Sequence, residues 1–128
     1  MNFWSVEVGA RAVINQYVLL DCRRYPIVID HDADIGPYTR IWTLGHSPDS
    51  ATHETVGGPV TISHHAWIAS GVVILPGVTI GEGAVVGASS VVTRSIPAGE
   101  IWTGNPAKFT RKRNNQLTYS LNYRPHFE

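Results

Sequence analysis

Imidazole is the side chain best suited to act as acid, base or metal ligand near neutral pH. This chain has six: His31, His46, His53, His64, His65 and His126. His46 stands in Leu44-Gly45-His46-Ser47-Pro48-Asp49, where an aliphatic pattern gives way to loop-forming residues. His64 and His65 are adjacent. Four bases, Lys108, Arg111, Lys112 and Arg113, follow a Gly104-Asn105-Pro106-Ala107 stop, and such groups hold phosphate through charge-assisted hydrogen bonds. The lone cysteine, Cys22, excludes an intrachain disulfide and fits a reducing compartment. Ten acids balance ten bases, so the overall charge points neither to nucleic acid nor to an anionic membrane.

These residues need a scaffold, and the sequence supplies one with a period of six. From Ile62 the first positions are Ile62, Ile68, Ile74, Ile80, Val86 and Val92. The second positions are mostly small, including Ser63, Ala69, Gly81 and Gly87. Fifth positions are small or β-branched: Ala66, Val72, Val78, Ala84, Ser90 and Ile96. Fourth positions include Gly71, Gly77 and Gly83, which suits a turn that needs positive φ. The phase returns upstream at Ile29, Ile35 and Ile41, and at Val8, Ile14 and Leu20. A helix needs apolar residues near every 3.6 positions, and a half-buried strand needs alternation by two. A short strand plus a turn satisfies six. Three such units close a triangular coil, and coils stack about 4.8 Å apart. The expected fold is all-β, a parallel β-helix of about five coils.

The run 62–93, with Pro76-Gly77-Val78-Thr79-Ile80-Gly81 inside it, resembles the hexapeptide-repeat acyltransferases, as does the ending Gly104-Asn105-Pro106-Ala107-Lys108. Asn15, Asp21 and the Gly45-His46 pair before a loop are most similar to the maltose/galactoside and capsule-sugar O-acetyltransferase branch. The resemblance covers about residues 8–113. It implies a left-handed coil, against the usual right-handed crossover rule, and a homotrimer with sites between subunits. It also implies acetyl transfer from acetyl-CoA to a small-molecule hydroxyl, with a sugar favoured, and requires no metal.

Carried over residue by residue, the resemblance makes His46 the general base, which takes the acceptor's proton as it attacks the thioester. Asp49 and Glu54 are candidates to orient its ring. Asn15 is expected to bond the acceptor or the oxyanion, and Asp21 a substrate hydroxyl; Tyr38 and Trp42 offer faces to a sugar ring. Trp67, Ser70, Ala88, Thr93 and Arg94 fall along the CoA arm, and Lys108 and Arg111 near its phosphates. His31, His64 and His65, at third and fourth positions, are expected to be exposed corner residues; His53 and His126 receive no role.

Residues 1–113 are expected to form the β-helix, with an insertion loop at 44–59 and a tail at 114–128 that folds onto a neighbour or is disordered. The insertion is long for a structureless connection, which favours function. Met1 to Ala10 has no apolar run of the signal-peptide kind and no stretch approaches a membrane span, so the expectation is a cytoplasmic protein. Two other readings use the same coil. A γ-carbonic-anhydrase-like enzyme would hold zinc on three histidines across a subunit interface, but adjacent His64 and His65 do not match its pair spaced along one strand. A non-catalytic scaffold would have no need of the Gly-His junction.

Overall fold

The computed structural model describes residues 5–122. Sixteen short strands and no helix make up this span. The first coil holds β1 (Val6–Val8), β2 (Val13–Ile14) and β3 (Leu19–Asp21). The second holds β4 (Ile27–Ile29), β5 (Asp34–Ile35) and β6 (Arg40–Trp42). The chain then leaves the coil as a hairpin, β7 (Leu44–His46) and β8 (Thr55–Gly57). It returns for β9 (Val60–Ile62), β10 (Trp67–Ile68) and β11 (Val73–Ile74), then for β12 (Thr79–Ile80), β13 (Val85–Val86) and β14 (Val91–Val92). An incomplete fifth coil carries β15 (Glu100–Gly104), on which β16 (Ala107–Lys112) folds back antiparallel.

Strands of successive coils pair in parallel on three faces. Face A is β1-β4-β9-β12, face B is β2-β5-β10-β13-β15 with β16 at its edge, and face C is β3-β6-β11-β14. The registers align the hexad first positions. Val8, Ile29, Ile62 and Ile80 form one column, continued by an Ile80–Ile96 bridge. Ile14, Ile35, Ile68, Val86 and Trp102 form the second. Leu20, Ile41, Ile74 and Val92 form the third. From the second coil onward all these side chains are buried. Each removes apolar area worth roughly 1.5–3 kcal/mol from water. Fifth positions Ala33, Ala66, Val72, Val78 and Ala84 fill the core between them.

The fourth position of most hexads takes the left-handed conformation. Glycine supplies it at Gly71, Gly77 and Gly83, as the spacing predicts. Arg11, Tyr17, Asp32, Tyr38, His65 and Ser89 adopt it as well, although the conformation disfavours a Cβ. The second position has a different demand. A Cβ on Gly36 would sit 2.6 Å from the carbonyl carbon of Ala69 and 2.7 Å from Ser70 N, so coils touch backbone to backbone at that corner.

Candidate active site

The insertion is ordered as a hairpin, with Leu44 opposite Gly57 and His46 opposite Thr55. It re-enters the coil through Gly57 and Gly58. A Cβ at Gly57 would meet the Thr43 carbonyl and the Tyr25 ring, and Gly58 N donates to that same carbonyl at 3.1 Å. The tip is tied by Ser47 N to Glu54 O at 2.8 Å, and by Thr52 N and Glu54 N, both donating to Ser50 Oγ, at 3.2 and 3.1 Å.

This tip holds the His46 ring. Its Nδ1 lies 3.2 Å from the His53 carbonyl, and the two imidazoles stack at 3.8 Å between centroids. A carbonyl oxygen only accepts, so Nδ1 carries the proton and the lone pair is on Nε2. The sequence reading offered Asp49 and Glu54 as orienting groups and gave His53 no role. The orienting group is instead the His53 carbonyl, set in place by a left-handed turn at His53 itself. Glu54 takes part through its backbone. A carbonyl carries no side-chain signature, so residue type could not reveal it.

Asn15 follows β2 on face B. Its amide donates to Asp34 Oδ1 at 3.2 Å and to Ile35 O at 2.7 Å. With both amide hydrogens taken, Oδ1 is what it offers to another molecule. Burial pushes the Asp34 carboxyl above the usual carboxylate range, against the Asn15 bond. Sequence reasoning missed Asp34; its signal was a charge at an outward sixth position next to Asn15. Val13, Asn15 and Asp34, with Ser120, Leu121 and Asn122, line a shallow pocket of about 350 Å³.

Asp21 ends β3. Its carboxylate accepts from Arg23 at 2.6 and 3.1 Å, and the guanidinium holds it below the usual range. Its carbonyl accepts from the Thr43 hydroxyl at 2.6 Å, one coil on, at the root of the hairpin.

The remaining candidates fall on separate parts of the prism. Ser70 and Ala88 are exposed at the corner between faces B and C, the corner that also carries Asn15. Gly71 and Ser89 keep that column small, whereas Tyr17 and Tyr38, stacked at 5.1 Å, make it bulky in the first two coils. Trp67 points outward from face B at 47% exposure. Thr93 and Arg94 lie between faces C and A, as Asp21 and the His46 hairpin do. Arg94 lies 5.0 Å from the ring of Trp102, whose Nε1 donates to Glu100. Lys108 and Arg111 are exposed on β16. Within one chain, then, face C separates the Asn15–Ser70–Ala88 corner from the His46–Thr93–Arg94 corner.

Two expectations about the rest are corrected. His65 is a buried residue at 6% exposure, not an exposed corner. The tail, for which disorder was one expectation, packs on its own coils as far as Asn122. The tail is the reason for the burial, since Tyr119 lies on the His65 ring. His126 lies outside the described residues. Among the described residues no three His, Cys, Asp or Glu side chains are grouped to hold a metal, and no helix is long and apolar enough to cross a membrane.

Comparison with known proteins bears on these coils. The family described as bacterial transferase hexapeptide (six repeats) matches residues 59–94. A hexapeptide-repeat acetyltransferase from Vibrio cholerae, solved with acetyl coenzyme A, superposes with a TM-score of 0.80 at 35% identity, over 86% of this chain and 61% of that one. This chain belongs to the hexapeptide-repeat acyltransferase family. Its fold is accordingly the left-handed parallel β-helix. A maltose O-acetyltransferase from Clostridium difficile gives a TM-score of 0.76 at 32% identity, over 86% of this chain and 60% of that one. Nodulation protein L of Rhizobium meliloti is 42% identical over 109 residues, 82% of this chain and 58% of the relative. The chain thus spans about three fifths of the length of the proteins it matches.

Proposed function

We propose that this protein transfers an acetyl group from acetyl-CoA to a hydroxyl of a small-molecule acceptor, a sugar being the favoured class, with His46 as general base. The observation that carries the reading is the His46 ring, whose Nδ1 is bonded to the His53 carbonyl so that Nε2 is the basic nitrogen. Nε2 takes the acceptor's proton as its oxygen attacks the thioester carbon. The imidazolium then returns that proton to the departing CoA sulfur, so no acyl-enzyme forms. The His53 carbonyl stabilises the imidazolium through the Nδ1–H bond.

Asn15 bonds the acceptor rather than the oxyanion, because its amide hydrogens are held by Asp34 and Ile35. Asp21, already paired with Arg23, contributes through any remaining acceptor capacity on its carboxylate. Ser70 and Ala88, with Gly71 and Ser89 beside them, give the pantetheine arm access to backbone amides. Trp67, Thr93 and Arg94 flank it, and Lys108 and Arg111 meet the phosphates. Face C stands between the two groups of residues in one chain, which supports a homotrimer in which one subunit's Asn15 corner faces its neighbour's His46 corner. The relatives solved with acetyl coenzyme A or named for maltose support the donor and the acceptor class.

The test is calorimetric titration with acetyl-CoA and dephospho-CoA, followed by thiol release with a panel of mono- and disaccharides. Saturable donor binding that weakens without the 3′-phosphate is expected. His46→Ala should lower kcat by about 10²–10⁴ with donor binding retained. A loss under threefold would remove His46 from the mechanism, and no donor binding at millimolar concentration would remove the transferase reading itself.

A further inference from the structure

After β16 the chain turns onto the corner between faces A and B and runs down it. Arg113 N donates to Gly99 O at 2.7 Å, and its guanidinium donates to the His65 and Gly83 carbonyls at 2.9 and 3.2 Å. Leu117 packs on Gly83, where any Cβ would strike it. Tyr119 lies on His65, its ring edge-on at 4.8 Å. Leu121 N donates to Asp32 Oδ1 at 2.8 Å. The segment 114–122 is therefore a strap across the fourth, third and second coils. Its last described residues, Ser120 to Asn122, wall one side of a pocket on face B. Val13 and Asp34, register partners on adjacent coils, form its floor, and Asn15 closes the side toward face C.

The carboxylates of this region are treated unequally. Arg11 forks onto both oxygens of Asp32 at 3.0 and 2.9 Å, and Arg23 onto both oxygens of Asp21 at 2.6 and 3.1 Å. Each guanidinium holds its carboxyl below the usual range. Asp34 has no such partner. Its one side-chain bond comes from the neutral Asn15 amide, which donates to Oδ1 at 3.2 Å. Among the described residues no Lys or Arg nitrogen pairs with it. Arg11, two residues before Val13, is committed to Asp32, and Arg113 to two carbonyls. Asp34 is half-buried, and burial pushes its carboxyl up rather than down. A carboxylate withdrawn from water without a counter-charge is costly, and a cation brought to within a few ångströms offsets that cost.

We propose that Asp34 makes this pocket selective for an acceptor that carries an ammonium group, an amino sugar being the class that fits. Asp34 Oδ2 takes the ammonium, and Asn15 Oδ1 accepts from a hydroxyl of the same molecule. Both oxygens only accept, so the ligand has to donate. A guanidinium fits less well: it forks onto two carboxylate oxygens, and Asn15 already occupies Oδ1. A metal ion needs several ligands, and no such group surrounds Asp34 among the described residues. Val13 and Leu121 supply an apolar surface for the carbon skeleton, and the volume of about 350 Å³ suits a small molecule. The strap closes the side away from Asn15, so the ligand reaches the face C corner with its other groups. An ammonium held by a carboxylate has no lone pair to attack a thioester. The amine therefore recognises, and a hydroxyl elsewhere on the molecule reacts. That the bound molecule is the acceptor rests on the proposed function; that the pocket takes an ammonium does not.

The test is an NMR titration of the ¹⁵N-labelled full chain at about pH 6.5, without acetyl-CoA. The probes are the methyl glycosides of glucosamine, galactosamine and mannosamine and those of the matching hexoses, each pair differing only in an ammonium for a hydroxyl. The Asn15 side-chain amide and the Leu121 backbone amide should shift saturably while the Ile74 amide stays fixed. At least one amino sugar should bind about tenfold or more tighter than its hexose, as one charge-assisted bond provides. Asp34→Asn keeps an oxygen for the Asn15 amide and removes the charge, so the preference should disappear with the Ile74 signal unchanged. Equal binding within every pair, a preference that survives Asp34→Asn, or no shift with any probe would overturn the proposal. So would a preference that appears only in Arg124→Ala, since the pocket would then serve a cation of the chain itself. Donor binding is measured separately by calorimetry, so failure of the transferase reading and failure of the ammonium site are distinct results.

Discussion

Ser50 does no chemistry, yet the geometry makes it the control point of the His46 ring. Its Oγ accepts from Thr52 N and Glu54 N, closing the turn that aims the His53 carbonyl at Nδ1. Ser50→Ala removes both bonds. Each is worth about 0.5–1.5 kcal/mol net, and the tip is exposed, so water replaces part of the loss. About 1–2 kcal/mol remains. If that energy holds the ring in its productive tautomer, kcat/KM falls about 5- to 30-fold. The assay is thiol release at saturating acetyl-CoA and limiting acceptor, beside calorimetric donor binding. The donor Kd should stay within twofold, and Ser50→Thr, which keeps the oxygen, should recover most of the rate. Unchanged kcat/KM in Ser50→Ala would refute the positioning argument. So would a donor Kd that weakens in parallel, since that would mark general damage.

Two further expectations concern the scaffold. Gly36→Ala drives a methyl into the Ala69–Ser70 backbone and should cost about 1–3 kcal/mol as overpacking, read as a lower thermal midpoint; an unchanged midpoint would mean that the coils part freely. The Asp32 carboxyl is held below its unfolded value by Arg11 first, against burial, with help from His31 and the Leu121 amide. A depressed folded value contributes stability above the unfolded pKa of about 3.9, and that stability is lost as pH falls below it. In urea titrations at pH 3, 5 and 7, Asp32→Asn should therefore be less stable than wild type at pH 5 and 7, with the gap narrowed but not closed at pH 3, where the folded carboxyl is still ionised. A gap that does not narrow with acid would refute the linkage.

The coil was legible because its signal is repeated. Each first-position aliphatic from Ile29 to Val92 recurs six residues on at the next face and enters a column with its counterpart one coil above. The corner glycines were legible for the same reason. What escaped was information without a period. His65 occupies a corner position and reads as exposed; its burial depends on Tyr119, fifty-four residues away. The His53 carbonyl is backbone, which any residue type would supply. The hairpin of 44–57 interrupts the repeat and has no alternation strong enough to announce its two strands. Asp34 was hidden because an outward charge is ordinarily solvated, whereas here the strap half-covers it.

The left-handed corner positions form columns whose pitch is fixed by the coil rise of about 4.8 Å. Between faces A and B the column reads Arg11, Asp32, His65, Gly83 and Gly99, one residue per coil. An extended peptide repeats its side-chain direction every two residues, about 6.6 Å. The two scales work as a vernier: a straight strand laid along the corner gains nearly 2 Å on every coil and soon loses phase. The strap advances two residues per coil at Leu117, Tyr119 and Leu121, and it takes up the difference by leaving the extended conformation, with Leu117 itself at a φ of 56°. The corner is thus a gauge of length. It grips a short bent segment and rejects a long straight one, and any partner chain that settled there would have to kink as the strap does.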